Sequence, residues 1–145
     1  MKEPILISIS GMDRPGITAS ITAMLAEFDV NVLDIGQSVI HDSLSLGMLV
    51  EIPEAAVGTQ TVKDAIQKTI DGLNLTVRFV DISHASYASW VRQQGKARHI
   101  VTLLSRRITA RHLSRLAGVL ADNGLNIDKI TRLSGRVPLE TIGNN

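Results

Sequence analysis

The 145-residue sequence contains no cysteine. That excludes disulfides, a thiol nucleophile and a thiolate metal site, and it fits a reducing, cytoplasmic location. Aromatic residues make up only 3% of the chain, so any core must be aliphatic. Apolar runs are short, and none approaches the roughly 18 residues that mark a membrane-spanning helix. The opening Met1-Lys2-Glu3-Pro4 passes straight into a strand-like run, without the charged-then-apolar pattern of a signal peptide. Histidine is sparse: His41, His84, His99 and His112 are scattered and show no metal-ligand spacing. There is no Asp-x-Asp pair to serve as phosphoaspartate nucleophile and acid, and no Gly-x-Ser-x-Gly elbow. No catalytic residue and no cofactor is therefore assigned to these residues.

What is present is an apolar fraction of 44%, enough for one ordinary domain or two small ones, and an uneven charge. From Met1 to Ile82 there are 5 Lys/Arg against 11 Asp/Glu; from Ser83 to Asn145 there are 10 against 3. Such halves attract each other or a partner of opposite sign, or are simply two solvated surfaces. Lys96, Arg98, Arg106, Arg107, Arg111 and Arg115 concentrate the basic excess. Phosphates of a nucleic acid would suit them. No aromatic residues are interleaved for stacking, however, and no helix-turn-helix pattern accompanies them, which argues against nucleic acid.

Ile5 to Ser10 alternates apolar and small polar residues, a strand. Gly11-Met12-Asp13-Arg14-Pro15-Gly16 is a turn with proline placed to open a helix. Ile17, Ile21, Met24, Leu25 and Phe28 then recur at helical spacing, and Asp29 ends that helix. Val30 to Ile40 and Leu44 to Ile52 read as strands joined by the hairpin connection His41-Asp42-Ser43. Thr61 and Asp64 resemble a capping pair for a second helix with Val62, Ala65, Ile66, Ile70 and Leu73 on its buried face. Gly72 stands where a left-handed closing residue belongs. Leu75 to Val80 is a fourth strand. The order β-α-β-β-α-β predicts a ferredoxin-like α+β fold: a four-stranded antiparallel sheet with both helices on one face. Residues 83–98 form a connector, in which Tyr87, Trp90 and Val91 make a short helical face that packs on the domain.

The pattern then restarts. An offset of 95 residues aligns Ile5 with Ile100, Ser10 with Ser105, Leu25 with Leu120, Asn31 with Asn126 and Ile35 with Ile130 without a gap, an internal duplication. Thr109 is the expected N-cap, Leu113, Leu116, Val119 and Leu120 repeat the helical stripe, Gly124 closes it, and Leu125 to Leu133 repeats the second strand. After Ser134-Gly135 only ten residues remain, and three elements have no counterpart. The expected organisation is a complete unit at 1–82, a connector at 83–98 and an incomplete β-α-β unit at 99–145. Strands one and two of this topology are separated by strand three. The half-unit thus leaves edges open to another chain, and is expected to be completed by strand exchange with a partner or to be poorly ordered.

Two positions suggest a ligand. Gly11 to Gly16 joins a strand to a helix whose N-terminal N–H groups suit a carboxylate or phosphate; the same stretch is also compatible with an ordinary tight turn. Ile17 occupies the place where a phosphate loop needs lysine, so nucleotide binding is rejected. Asn31 opens the second strand with an amide that both donates and accepts, which suits an amino-acid head group, but a turn residue tolerant of the left-handed conformation is the reading its position alone favours.

Ile9-Ser10-Gly11-Met12-Asp13-Arg14-Pro15-Gly16-Ile17-Thr18 resembles the opening of ACT domains, with Asn31-Val32 entering the second strand. Val39 to Val50, and Arg98 through Leu139, further resemble the tandem ACT region of bacterial phosphoserine phosphatases. The resemblance implies regulatory binding of a small amino acid, serine first, at an interface between ACT units, together with homodimerisation. It makes Gly11, Asp13, Arg14, Pro15 and Gly16 the loop facing the ligand and Asn31 and Val32 the opposing strand start. In the second copy Arg106-Arg107-Ile108-Thr109-Ala110-Arg111 occupies the aligned loop and lacks the Pro-Gly turn. Magnesium and an aspartate nucleophile belong, by the same resemblance, to a phosphatase domain that nothing here matches. The alternatives are a free-standing ACT regulator similar to glycine-cleavage repressors, and a purely structural dimerisation module.

Overall fold

The computed structural model describes residues 3–53, 58–95 and 97–133. Lys96 of the basic cluster and the closing stretch 134–145 lie outside the described residues. In chain order the elements are β1 (Ile5–Met12), α1 (Ile17–Glu27), β2 (Asn31–Ile40), β3 (Ser43–Glu51), α2 (Thr59–Gly72), β4 (Thr76–Asp81), α3 (His84–Gln93) and α4 (Ala110–Asp122). They divide into two compact units, Met1–Ala97 and Arg98–Asn145.

In the first unit the sheet order is β2-β3-β1-β4, with every neighbouring pair antiparallel. This is the ferredoxin-like βαββαβ arrangement expected from the hydrophobic periods. Alternation along the strands decides which face is buried. Ile5, Ile7 and Ile9 of β1, with Leu44, Leu46, Met48 and Val50 of β3, point to one side. There they meet Ile17, Ile21 and Leu25 of α1 and Val62, Ile66 and Ile70 of α2 in a single aliphatic core. Ser8, Ser10, Ser45, Gly36 and Gly47 fall on the other side by the same register. Helices α1 and α2 cover one face, and α3 follows β4 on the other side.

The elements end where backbone chemistry requires. Asp29 closes α1 in the left-handed conformation (φ 53°), and Gly124 does the same after α4 (φ 69°). Other local expectations differ. Pro15 does not open α1: the helix begins at Ile17, and its N-cap is Gly16 at φ 91°, a left-handed geometry that proline cannot adopt. Thr61 does not cap α2. Its N–H already donates to the Gly58 carbonyl at 2.9 Å, so it lies inside the first turn, and Gly58 is the cap. Gly72 is the last residue of α2, and Asn74 takes the left-handed position at φ 55°. There the N–H of Asn74 reaches the Asp71 carbonyl and that of Leu75 reaches the Ile70 carbonyl, both at 3.1 Å.

The second unit keeps its helix. Thr109 Oγ1 accepts from the His112 N–H (3.4 Å) while His112 Nδ1 accepts from the Thr109 N–H (3.2 Å), a capping box with histidine in place of glutamate. The flanking runs, expected as strands, form no ladder among the described residues. A strand exists only through its hydrogen-bonded neighbour. In the first unit β1 and β2 both pair with β3, and no third run of the second unit lies among the described residues to take that place. Ile100 is accordingly 95% exposed, and Leu104, Ile130 and Leu133 are exposed as well.

Candidate functional site

The loop from Asp13 to Gly16 leaves the sheet beside the N-terminus of α1 and is held on two sides. The Asp13 N–H donates to the Asp42 carbonyl at 2.7 Å, which ties the loop to the β2–β3 hairpin. Arg14 Nη2 donates to the Leu73 carbonyl at 2.9 Å, which ties it to the C-terminus of α2. Within the hairpin, His41 and Asp42 pair at 2.8 Å. That bond, together with the charge of His41, holds the Asp42 carboxyl below its ordinary range.

Gly11 and Gly16 give the loop its path. At Gly11 (φ 152°) a Cβ would stand 2.5 Å from Leu75 Cδ2, so the strand end lies directly over that side chain. Gly16 is the N-cap of α1 and supplies no side-chain acceptor to the first turn. Helix N-terminal N–H groups without a side-chain cap carry positive partial charge and accept an anion readily.

A cleft of about 320 Å³ opens at this point, lined by Asp13 to Ala19 and by Gln37. Gln37 lies mid-way along β2, opposite Leu46 of β3. Its side-chain carbonyl accepts from the Thr18 hydroxyl at 2.6 Å, which fixes the amide at the cleft wall. Gln37 is a cleft-lining residue that motif reading overlooked. No sequence motif marks it: only the pairing with Leu46 in the β2–β3 register puts it on the helix-facing side of the sheet.

Asp13, Arg14, Pro15 and Gly16 therefore come together in one exposed cleft, whereas Gly11 is not among its lining residues and sits in β1 against Leu75. Asn31 and Val32 do not join them within the unit. They begin β2, just beyond the C-terminal end of α1, whereas the loop sits at its N-terminal end. The 11 residues of α1 separate the two groups by about 16 Å. Among the described residues no three His, Asp or Glu side chains are grouped to hold a metal ion, and no helix is long and apolar enough to cross a membrane.

Comparison with known proteins places these features. Residues 3–80 match the ACT domain family, and residues 97–142 match a second ACT domain. The phosphoserine phosphatase SerB2 of Mycobacterium tuberculosis is 34% identical over 92% of this chain, which covers 31% of that protein. A phosphoserine phosphatase of Streptomyces coelicolor is 32% identical over 90% of this chain, which covers 30% of it. A UPF0237 protein of Methanopyrus kandleri is 34% identical over 57% of this chain and 93% of its own length. Among solved structures, a formyltetrahydrofolate deformylase from Pseudomonas putida aligns with 85% of this chain and 58% of its own, with a TM-score of 0.51 and 7% identity, a likeness of fold alone. The chain thus spans about a third of the length of the phosphatases it matches.

Proposed function

The chain belongs to the ACT domain family, and on that premise we propose that its first unit is a regulatory site for a small L-amino acid, L-serine first. The observation that carries this reading is the cleft at the start of α1. The first turn has no side-chain cap, Asp13 stands beside it, and the Gln37 amide lines the same cleft. Uncapped N–H groups suit an α-carboxylate. The Asp13 carboxylate suits an α-ammonium, and an amide that both donates and accepts suits a short hydroxyl side chain.

Asn31 and Val32 enter through assembly. Because they lie at the far end of α1, they reach a ligand held by the loop only across an interface between two ACT units. We therefore place the ligand between paired units, with the loop of one facing the β2 start of the other. Binding then favours one arrangement of units, a population shift that is passed to whatever the units are joined to. Arg106 to Arg111 lacks the Pro-Gly turn, so the second unit is not assigned an equivalent site. Its exposed apolar runs support homodimerisation, with strand exchange completing the unit.

For the whole protein we propose a cytoplasmic hydrolase of O-phospho-L-serine, with its magnesium-dependent chemistry outside these residues. The likeness to phosphoserine phosphatases over nine-tenths of the chain supports that reading. The 93% coverage of the UPF0237 relative instead favours a free-standing regulator. Turnover of O-phospho-L-serine by the full-length protein separates the two.

The site is tested by isothermal titration with L-serine, with glycine and O-phospho-L-serine as comparisons. Saturable L-serine binding that disappears in Asp13→Ala and Gln37→Ala, with circular dichroism unchanged, is expected. No heat with L-serine, or an undiminished affinity in Asp13→Ala, refutes the reading.

A further inference from the structure

The face of the sheet turned away from α1 and α2 carries a second cavity, of about 400 Å³, roofed by α3. Its floor is a trough. Gly36 and Gly47 are directly paired across β2 and β3, and a Cβ on either would meet nothing within 4 Å. Two missing side chains at one cross-strand position leave the sheet bare there. Leu6 and Leu49, paired across β1 and β3, extend the apolar floor.

The start of α3 is anchored where the chain leaves β4. Ser83 caps α3 by accepting from the Ser86 N–H at 3.1 Å, and the Ile82 N–H donates to the Pro4 carbonyl at 2.8 Å. Tyr87 and Trp90 line the cavity from the helix, their ring centroids 6.0 Å apart and their planes tilted by 38°. Asp34 also lines it, with one carboxylate oxygen fixed by the Ile35 N–H at 2.9 Å.

We propose that this cavity binds a small organic amine: an apolar body in the Gly36–Gly47 trough beneath the two rings, with its ammonium directed to Asp34. Aromatic faces attract a cation, and a carboxylate beside them selects its sign. The trough accepts the apolar part, which a neutral ion pair alone would not require. The site shares no lining residue with the Asp13–Gln37 cleft and opens on the opposite face of the sheet, so it stands or falls independently of serine binding.

Trp90 is the only tryptophan of the chain and therefore reports on the cavity directly. The test titrates the protein with 2-phenylethylamine and, separately, with 3-phenylpropionate, which has a similar body and the opposite charge. A saturable change in Trp90 emission is expected with the amine, and an affinity at least about tenfold weaker with the carboxylate. Gly47→Val fills the trough. Valine suits a strand and its Cβ meets nothing within 4 Å there, so the thermal midpoint is kept or raised while amine binding is lost. Asp34→Asn removes the preference between the two probes. Equal affinity for both probes, an unaltered titration in Gly47→Val, or no saturable signal by fluorescence and calorimetry overturns the proposal.

Discussion

Replacing Gly11 with alanine adds one methyl group, yet it is expected to cost about 2–6 kcal/mol of folding stability. Two independent effects make up this figure. The first is the backbone: at φ 152° an L side chain is strained, at roughly 1–3 kcal/mol. The second is space. The new Cβ would stand 2.5 Å from Leu75 Cδ2 and 3.4 Å from Leu75 Cα. Leu75 is buried, and its N–H is anchored on the Ile70 carbonyl, so only the side-chain tip can yield. Overpacking of this kind costs about 1–3 kcal/mol. Urea unfolding, followed by circular dichroism, measures the sum. Two alanine substitutions calibrate it. Gly16→Ala, at φ 91° with open space, carries the backbone cost alone, about 1–3 kcal/mol. Gly47→Ala, at an ordinary φ with open space, is neutral or stabilising by up to about 1 kcal/mol. Leu75→Ala removes the obstructing atoms, so Gly11→Ala/Leu75→Ala should be milder than the sum of its single variants by at least about 1 kcal/mol. A Gly11→Ala no costlier than Gly16→Ala, or strict additivity in the cycle, refutes the close approach.

Three further outcomes are expected. Ile66, 1% exposed in the first unit, should lose about 2–5 kcal/mol as alanine, while Ile100→Ala in the second unit should change the same unfolding curve by no more than about 0.5 kcal/mol. Thr109→Ala removes one half of the α4 capping box and should cost that helix about 0.5–2 kcal/mol, seen as faster amide exchange over the first turn of α4 in the intact chain. The Asp42 carboxyl, held low by its bond to His41 and by the charge of that ring, should titrate closer to the ordinary carboxylate value in His41→Ala, followed by NMR of the carboxyl carbon. Since the folded value lies below the unfolded one, this pair adds stability above the unfolded value and loses it as pH falls through the folded one. Both side chains are solvent-exposed, so the effect on the global unfolding curve is small.

The hydrophobic periods were enough to read the first unit, because β1, β3, α1 and α2 each bury one well-marked face. Ile5, Ile7 and Ile9 alternate, and Val62, Ile66 and Ile70 recur at helical spacing. Local chemistry was harder. Thr61-x-x-Asp64 has the form of a capping box, but α2 had already started at Thr59, and a motif carries no information on where the preceding chain enters. Gly72 and Asn74 both tolerate the left-handed conformation, and which one adopts it depends on whose carbonyl the following N–H groups reach. In the second unit Leu125 to Leu133 repeats the second strand at Asn126 and Ile130, yet such a repeat reports which residues correspond and not whether a neighbouring strand exists. Of the site, the Asp13–Gly16 loop was legible because its glycines and its place between strand and helix follow from the chain order. Gln37 was not, since only the β2–β3 register reveals that it shares a phase with Leu46.

The distance spanned by α1 has a consequence for dose and response. With the loop at one end and Asn31 and Val32 at the other, no single unit holds both halves of the proposed amino-acid site. Pairing and binding then become reciprocal quantities: whatever factor pairing adds to ligand affinity, ligand returns to pairing. Apparent affinity rises with protein concentration, and dilution acts as an antagonist. Under the proposed site, the unit would respond to two inputs at once, the supply of the amino acid and its own abundance.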